Sequence, residues 1–391
     1  MRSHGLALLV ALALALVACS GQAVTNDQAA AESDTESASA ALEESELDTS
    51  AQVEDEALEP AFDSAALEAE LQSVMDAWEI SADGGGVAYV RTADGTDAVV
   101  ASGLDPQSNA ALETDARVRL GSISKPIVAT MVMQLVDEGL VDLDEPVSVY
   151  LPDLELPGDP TVRNVLAHET GIGNYTETRV FAQITFSNPE NEPTPEDLIS
   201  YVEPEPLFPA GSTFAYSNTN YIVAGRLIEE VTDMSLADAF ETQITGPLGL
   251  TSMEFADGTL SDVAGGYSLI TPSGNTFDQP YTSVATGAWA AGALVGSVED
   301  LAEFFDALLF GDLVTEDARR EMLGDIAEGG PYGLGLHGGD DFGVGHGGLI
   351  VGFNSMSQID LDTREVVIVS VNNDGRRTSI LTRQLTDILR G

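Results

Sequence analysis

Residues 121–126 read Gly-Ser-Ile-Ser-Lys-Pro, and Lys125 is the one lysine in a chain of 391 residues. The other fourteen cationic residues are arginines. Behind the lysine, Ile127, Val128, Met131, Val132, Met133, Leu135 and Val136 make a run that is apolar nearly all round. A helix without a polar face is a buried helix, here expected over about 123–140, with Gly139 near its end. Ser122 and Lys125 stand at i and i+3 near its start, a spacing that puts both side chains on one face. Pro126 is tolerated in a first turn. A serine hydroxyl is a weak nucleophile until a base takes its proton. Lysine can be that base only where burial or a neighbouring cation depresses its pKa. Burial in this helix would do so, and the chain's formal charge of −50 works the other way. Alone, the pair fits equally a helix cap followed by a snorkelling lysine.

Outward from this helix the pattern is mixed. Leu67, Leu71, Val74, Met75 and Trp78 share one face of a helix over about 64–79. Gly86–Thr92 and Asp97–Gly103 are β-rich runs around a hairpin signal, Ala93-Asp94-Gly95-Thr96. Between about 140 and 335 the chain is broken by Pro and Gly, with helical stretches over Tyr221–Thr232, Leu236–Thr245 and Val298–Leu309. After Gly348 strands return over Leu349–Leu361 and Glu365–Asn372, and Ile380, Leu381, Leu385, Ile388 and Leu389 form the stripe of a terminal helix. The economical arrangement is an α+β fold. One antiparallel sheet is built from both chain ends and covered by the terminal helices, with a mainly helical region inserted.

Two further motifs bear on the serine. Of nine tyrosines, only Tyr216 has an asparagine two residues on, in Tyr216-Ser217-Asn218. Near the C-terminal strands stands His346-Gly347-Gly348. In kind and order the three motifs resemble those of the penicillin-recognising serine hydrolases: class C β-lactamases, D-alanyl-D-alanine carboxypeptidases and related esterases. The resemblance covers most of 64–391. It takes in Arg119-Leu120-Gly121, the run Leu166-Ala167-His168-Glu169-Thr170-Gly171, and Pro209-Ala210-Gly211. It implies a β-lactamase/transpeptidase-like fold and a serine hydrolase acting through an acyl-enzyme on a peptide, ester or β-lactam-like substrate, with no cofactor. Ser122 would be acylated, and Lys125 and Tyr216 would share acid–base work. Asn218 would bond the substrate's acyl-side amide. His346 would line the opposite wall and help the proton network, with Gly348 and Leu349 on the same strand. The backbone N–H groups of Ser122 and Leu349 would form an oxyanion hole. Gly347 stands where many such proteins have a hydroxyl residue that binds the substrate's carboxylate. Its absence favours esters, amides or less typical peptides, and no class A deacylation motif is present.

The other candidates are weaker. His168 reads as structural, and His337, in a Gly-rich turn, has no partner legible in the sequence. Zinc is disfavoured, since the three histidines after the leader fall at no ligand spacing. Gly343-x-Gly345-x-x-Gly348 matches a dinucleotide fingerprint by letter but opens a strand rather than a helix. The pairs Asp142/Asp144 and Asp360/Asp362 lack the rest of a calcium loop.

The N-terminus reads as a leader. Arg2 precedes an apolar run, Leu6–Ala18, too short to span a bilayer as a helix. It ends at Leu16-Val17-Ala18-Cys19, which resembles a bacterial lipobox, so 1–18 is expected to be a signal peptide and Cys19 a lipidated residue. Residues 20–62 hold twelve Asp or Glu and no Lys or Arg, the composition of a disordered tether spanning about 35–40 Å. The expected domain is 63–391. The expected location is the extracytoplasmic face of a bacterial membrane, with a small-molecule or peptidoglycan-type peptide substrate. So acidic a chain excludes nucleic acid as a partner and suits a high-salt habitat. The rival reading is a catalytically idle penicillin-binding or cell-envelope interaction lipoprotein. Intact Ser122, Lys125 and Tyr216 argue against it.

Overall fold

Both ends of the domain feed one six-stranded sheet. The computed structural model describes residues 63–390 apart from 80–83, 189, 257–259, 261, 272, 277–281 and 340–342. The leader, Cys19 and the acidic segment 20–62 lie outside the described residues. The strands are β1 (Gly85–Arg91), β2 (Asp97–Gly103), β3 (Val118–Arg119), β4 (Glu254–Phe255), β5 (Leu294–Gly296), β6 (His337–Gly339), β7 (Gly343–Ile350), β8 (Phe353–Ile359) and β9 (Val366–Val371). The large sheet runs β2-β1-β9-β8-β7-β6, with every pair antiparallel, and β3-β5-β4 form a small second sheet. The helices of nine or more residues are α1 (Ser64–Glu79), α2 (Ser124–Asp137), α3 (Arg179–Ser187), α4 (Asn218–Thr232), α5 (Thr282–Gly292), α6 (Val298–Leu309), α7 (Glu316–Ala327) and α8 (Thr378–Arg390).

The central strands are buried on both faces, and their alternation shows why. Ala88, Val90, Val367 and Val369 pack with Leu71 and Met75 of α1 and with Leu381 and Leu385 of α8. Their neighbours Val87, Tyr89, Val366 and Ile368 face the other way, into the core of the helical region. Side chains of period two deliver one set to each layer. The sheet from both ends, its terminal helices and the helical insertion are therefore as the sequence pattern predicts. Boundaries differ in places: the helix expected over Leu236–Thr245 is α-helical to Phe240 and π-helical over Glu241–Thr245, and strand β7 begins at Gly343. The strand expected over Leu349–Leu361 is two strands, with a tight turn at Val351 and Gly352, where Gly352 takes φ +83°. Hydrophobic alternation continues through that turn and hides it.

Helix α2 is the hub. Every residue from Ser124 to Met133 is buried, and Gly139 (φ +72°) follows its last turn in the left-handed conformation that glycine tolerates. It packs between the sheet and α4. Helix α5 packs on α4 in turn, closely enough that a Cβ at Gly225 would lie 2.6 Å from Ala290 Cβ. That close approach brings the C-terminal turn of α5 beside the start of α2.

Candidate active site

Ser122 lies in a single 3-10 turn, Gly121–Ile123, which runs directly into α2. The turn is pinned from below. The Ser124 hydroxyl donates to Gly121 O (2.8 Å) and accepts from Leu294 N–H of β5 (3.1 Å), while Leu120 N–H donates to Leu294 O (2.9 Å). Gly121 sits at φ +56°, and a Cβ there would lie 3.0 Å from Leu349 N. Strand β7 therefore runs directly past the serine. In an antiparallel ladder closed at Ile350↔Phe353, bonded and unbonded pairs alternate, so the N–H of Leu349 faces away from β8, toward the serine turn. The N–H groups of Ser122 and Leu349 thus flank one wall of the same opening.

Lys125, one turn on, is completely buried. Its Nζ lies 3.0 Å from Ser122 Oγ, 2.8 Å from Asn218 Oδ1 and 2.7 Å from Ala291 O. Ala291 belongs to the last turn of α5, where carbonyls have no partner within the helix. Burial alone holds the Lys125 ammonium well below its ordinary pKa. Among the described residues no carboxylate stands against Nζ. A neutral amine has two N–H donors and one lone pair. Two carbonyl oxygens take the donors, which leaves the lone pair for the Ser122 hydroxyl. The burial expected from the helix pattern thus prevails over the charge of the chain.

Tyr216 completes the triad of groups. Its ring centroid lies 4.9 Å from Lys125 Nζ, and its hydroxyl interacts with the Ser122 side chain. Burial pushes the phenol up, and the interaction with Ser122 partly offsets that shift. Tyr216 is therefore a proton donor at neutral pH rather than a standing phenolate. Asn218, at the start of α4, is held at both ends: Oδ1 accepts from Lys125, and Nδ2 donates to Thr176 Oγ1 (3.1 Å). One Nδ2 proton remains for a substrate carbonyl.

His346, on β7, lines the same cavity, but its nitrogens face the protein. Nδ1 is 2.5 Å from Gly347 O and Nε2 is 3.1 Å from the Tyr332 hydroxyl. Its ring is 6.3 Å from that of Tyr216, centroid to centroid. The structure thus gathers Ser122, Lys125, Tyr216, Asn218, His346, Gly348 and Leu349 around one opening. Cys19 lies outside the described residues.

His168 is completely buried behind Tyr216, at a ring separation of 4.3 Å and with φ +59°. Its Nδ1 accepts from the Ser217 N–H (3.2 Å), which fixes the loop that carries Tyr216. Its contacts are those of a scaffold residue. Several contributors escaped the sequence reading. Ala291 acts through a carbonyl, which leaves no side-chain signal. Thr176 bonds Asn218 and lines the cavity, and Tyr332 bonds His346 and packs against the rings of Tyr216 and His337. Tyr332 alone had a visible mark, as a lone aromatic in a Gly-rich run.

The cavity measures about 640 Å³. Its wall includes an apolar side of Tyr175, Phe181, Ala182, Val284 and Ala288, and Arg376 and Arg377 also line it. Neither arginine forms an ion pair among the described residues, in contrast to Arg91, Arg117, Arg163, Arg226 and Arg320.

Comparison with known proteins agrees with this geometry. The D-stereospecific amidohydrolase of a Streptomyces species superposes with a TM-score of 0.71 at 30% identity, over 81% of this chain and 97% of that one. The penicillin-binding protein PbpX of Bacillus subtilis (strain 168) is 26% identical over 255 residues, 65% of this chain and 61% of the relative. The D-aminopeptidase of Brucella anthropi is 26% identical over 290 residues, 71% of this chain and 53% of the relative. The match therefore spans between about half and two thirds of the length of these two curated relatives. The Beta-lactamase family model matches residues 67–388, almost the whole of the folded region, and the chain belongs to that family.

Proposed function

We propose that this protein is a serine hydrolase that cleaves small amides or peptides through an acyl-enzyme at Ser122. The observation that carries the reading is the Lys125 amine, fully buried, 3.0 Å from Ser122 Oγ and held by two carbonyl oxygens. As Ser122 attacks, its proton passes to Lys125. The negative charge that develops on the substrate oxygen is met by the N–H groups of Ser122 and Leu349. Tyr216 gives its proton to the leaving group and recovers one from Lys125. Water then repeats the sequence on the acyl-enzyme.

Amides and peptides rank above β-lactams on two grounds. Gly347 supplies no hydroxyl for a carboxylate beside the reacting centre. The relatives include a D-stereospecific amidohydrolase and a D-aminopeptidase. The apolar wall suits an apolar acyl side chain, and Arg376 and Arg377 suit a negative charge on the substrate. The test treats the purified chain at high salt with a fluorescent fluorophosphonate and a fluorescent penicillin, followed by mass spectrometry of the Ser122 peptide. Phosphonate labelling at Ser122, lost in Ser122→Ala, is expected. No adduct with either reagent on folded protein would favour the idle-lipoprotein reading. Equal KM for substrates with and without a terminal carboxylate would remove the role given to the two arginines.

We further propose that Cys19 carries a lipid and holds the domain at the outer face of a bacterial membrane. The leader sequence and its junction support this. Two or more acyl chains are needed for stable anchoring. Cys19→Ala should move the protein from the membrane fraction to the soluble one in a lipoprotein-processing host. Unchanged fractionation counts against the anchor.

A further inference from the structure

His337 is the imidazole of this site that is open to a ligand. His346 engages Gly347 O and the Tyr332 hydroxyl, and His168 is buried behind Tyr216. His337 is half-buried, lines the cavity with Ser122 and Tyr216, and its ring nitrogens take no hydrogen-bond partner among the described residues. The ring is held in place. It lies 4.6 Å from His346 and 4.7 Å from Tyr332, centroid to centroid, edge-on to both. It stands 6.5 Å from Tyr216 and within 24° of parallel. Its strand is fixed by pairing of His337 with Gly345 and by the Gly338 N–H donating to Pro331 O (3.0 Å). Burial first, and Lys125 second, pull its pKa to about 4. At neutral pH it is thus an uncharged ring with one nitrogen free to accept.

A neutral acceptor beside Tyr216 stands where a departing group must go. We propose that His337 accepts a hydrogen bond from the leaving-group N–H of an amide substrate, and so favours amides over esters of the same acyl group. This rests on the reading of Ser122 as nucleophile. In that reading the Ser122 Oγ–carbon bond forms, and the carbon–nitrogen bond then breaks as the leaving nitrogen takes the Tyr216 proton. That nitrogen has to turn its lone pair toward the Tyr216 hydroxyl. A bond from its own N–H to His337 holds it so, and His337 neither gains nor loses a proton. An ester oxygen has no N–H to offer, so its departure is indifferent to the imidazole.

The test compares the p-nitroanilide and the p-nitrophenyl ester of D-phenylalanine in the wild type, His337→Phe and His337→Gln. In His337→Phe, kcat/KM for the anilide should fall roughly tenfold, the loss of one net hydrogen bond, while the ester stays within about twofold. His337→Gln, which keeps an acceptor, should recover part of the loss. Equal losses on both substrates would mark a structural role and overturn the inference. So would an unchanged anilide rate, or a wild type that cleaves the ester and not the anilide. Fluorophosphonate labelling of Ser122 runs alongside. Absence of label in the wild type sinks the nucleophile reading itself, whereas full labelling with an unchanged anilide-to-ester ratio sinks only the role of His337.

Discussion

Lys125→Arg is expected to lower kcat/KM by on the order of a thousandfold or more, despite conserving the charge. The reason is the protonation state. Burial holds the Lys125 ammonium well below its ordinary pKa, which favours the neutral amine, and among the described residues no carboxylate pairs with it. Arginine stays protonated at any accessible pH and has no lone pair for the Ser122 proton. Its planar fork also has to fit where Nζ now sits between Asn218 Oδ1 and Ala291 O. Steady-state kinetics with folding checked by circular dichroism settles the matter, and near-normal turnover in Lys125→Arg would refute the base assignment.

The same burial has a signature in stability. Folded Lys125 titrates well below the ordinary 10.5, so between its folded pKa and 10.5 the unfolded chain binds a proton that the folded chain does not. Stability rises with pH wherever the unfolded state binds more protons. Lys125 therefore costs stability at neutral pH, and the cost shrinks as pH climbs toward 10.5. Relative to Lys125→Met, the wild type should gain up to about 1.4 kcal/mol per pH unit across that window. Urea denaturation of both proteins from pH 7 to 10 measures the difference, and parallel curves would mean that Lys125 is charged in the fold.

The sequence carried much of this arrangement, and what it lost follows a rule. Strand alternation and helix stripes placed both ends of the chain in one sheet, because burial on two faces leaves a period in the letters. Serine, lysine, tyrosine and asparagine were legible because their chemistry is rare or their spacing is short; a single lysine in an acidic chain is hard to overlook. Contributions made by backbone left no letter to read. Ala291 holds Lys125 through a carbonyl, and Leu349 faces the serine through an N–H. The histidines divide along a related line. The His346 motif drew attention to a ring whose nitrogens the fold engages on Gly347 and Tyr332, while His337 owes its openness to a strand pairing that no local pattern announces.

The glycines after His346 make the sharpest case, since the letters treat Gly347 and Gly348 alike and the structure does not. A Cβ on Gly347 would meet Met356 Cε at 3.5 Å, an ordinary contact with the end of a flexible side chain. A Cβ on Gly348 would lie 2.0 Å from Leu120 O, a backbone atom in the segment that delivers Ser122. Leu120 cannot yield, because its N–H is bonded to Leu294 of β5 and its side chain is completely buried in the core. Strand β7 would have to move outward, taking the Leu349 N–H away from the position where charge develops on the substrate oxygen. Loss of one such donor costs about a hundred- to a thousandfold in kcat. Gly348→Ala should show that loss together with reduced stability, whereas Gly347→Ala should keep kcat within a few-fold. Rates of Ser122 phosphonylation in the two variants separate the outcomes. Similar behaviour of the two would mean that β7 does not seat Leu349 against the serine, and the oxyanion hole would have to be sought elsewhere.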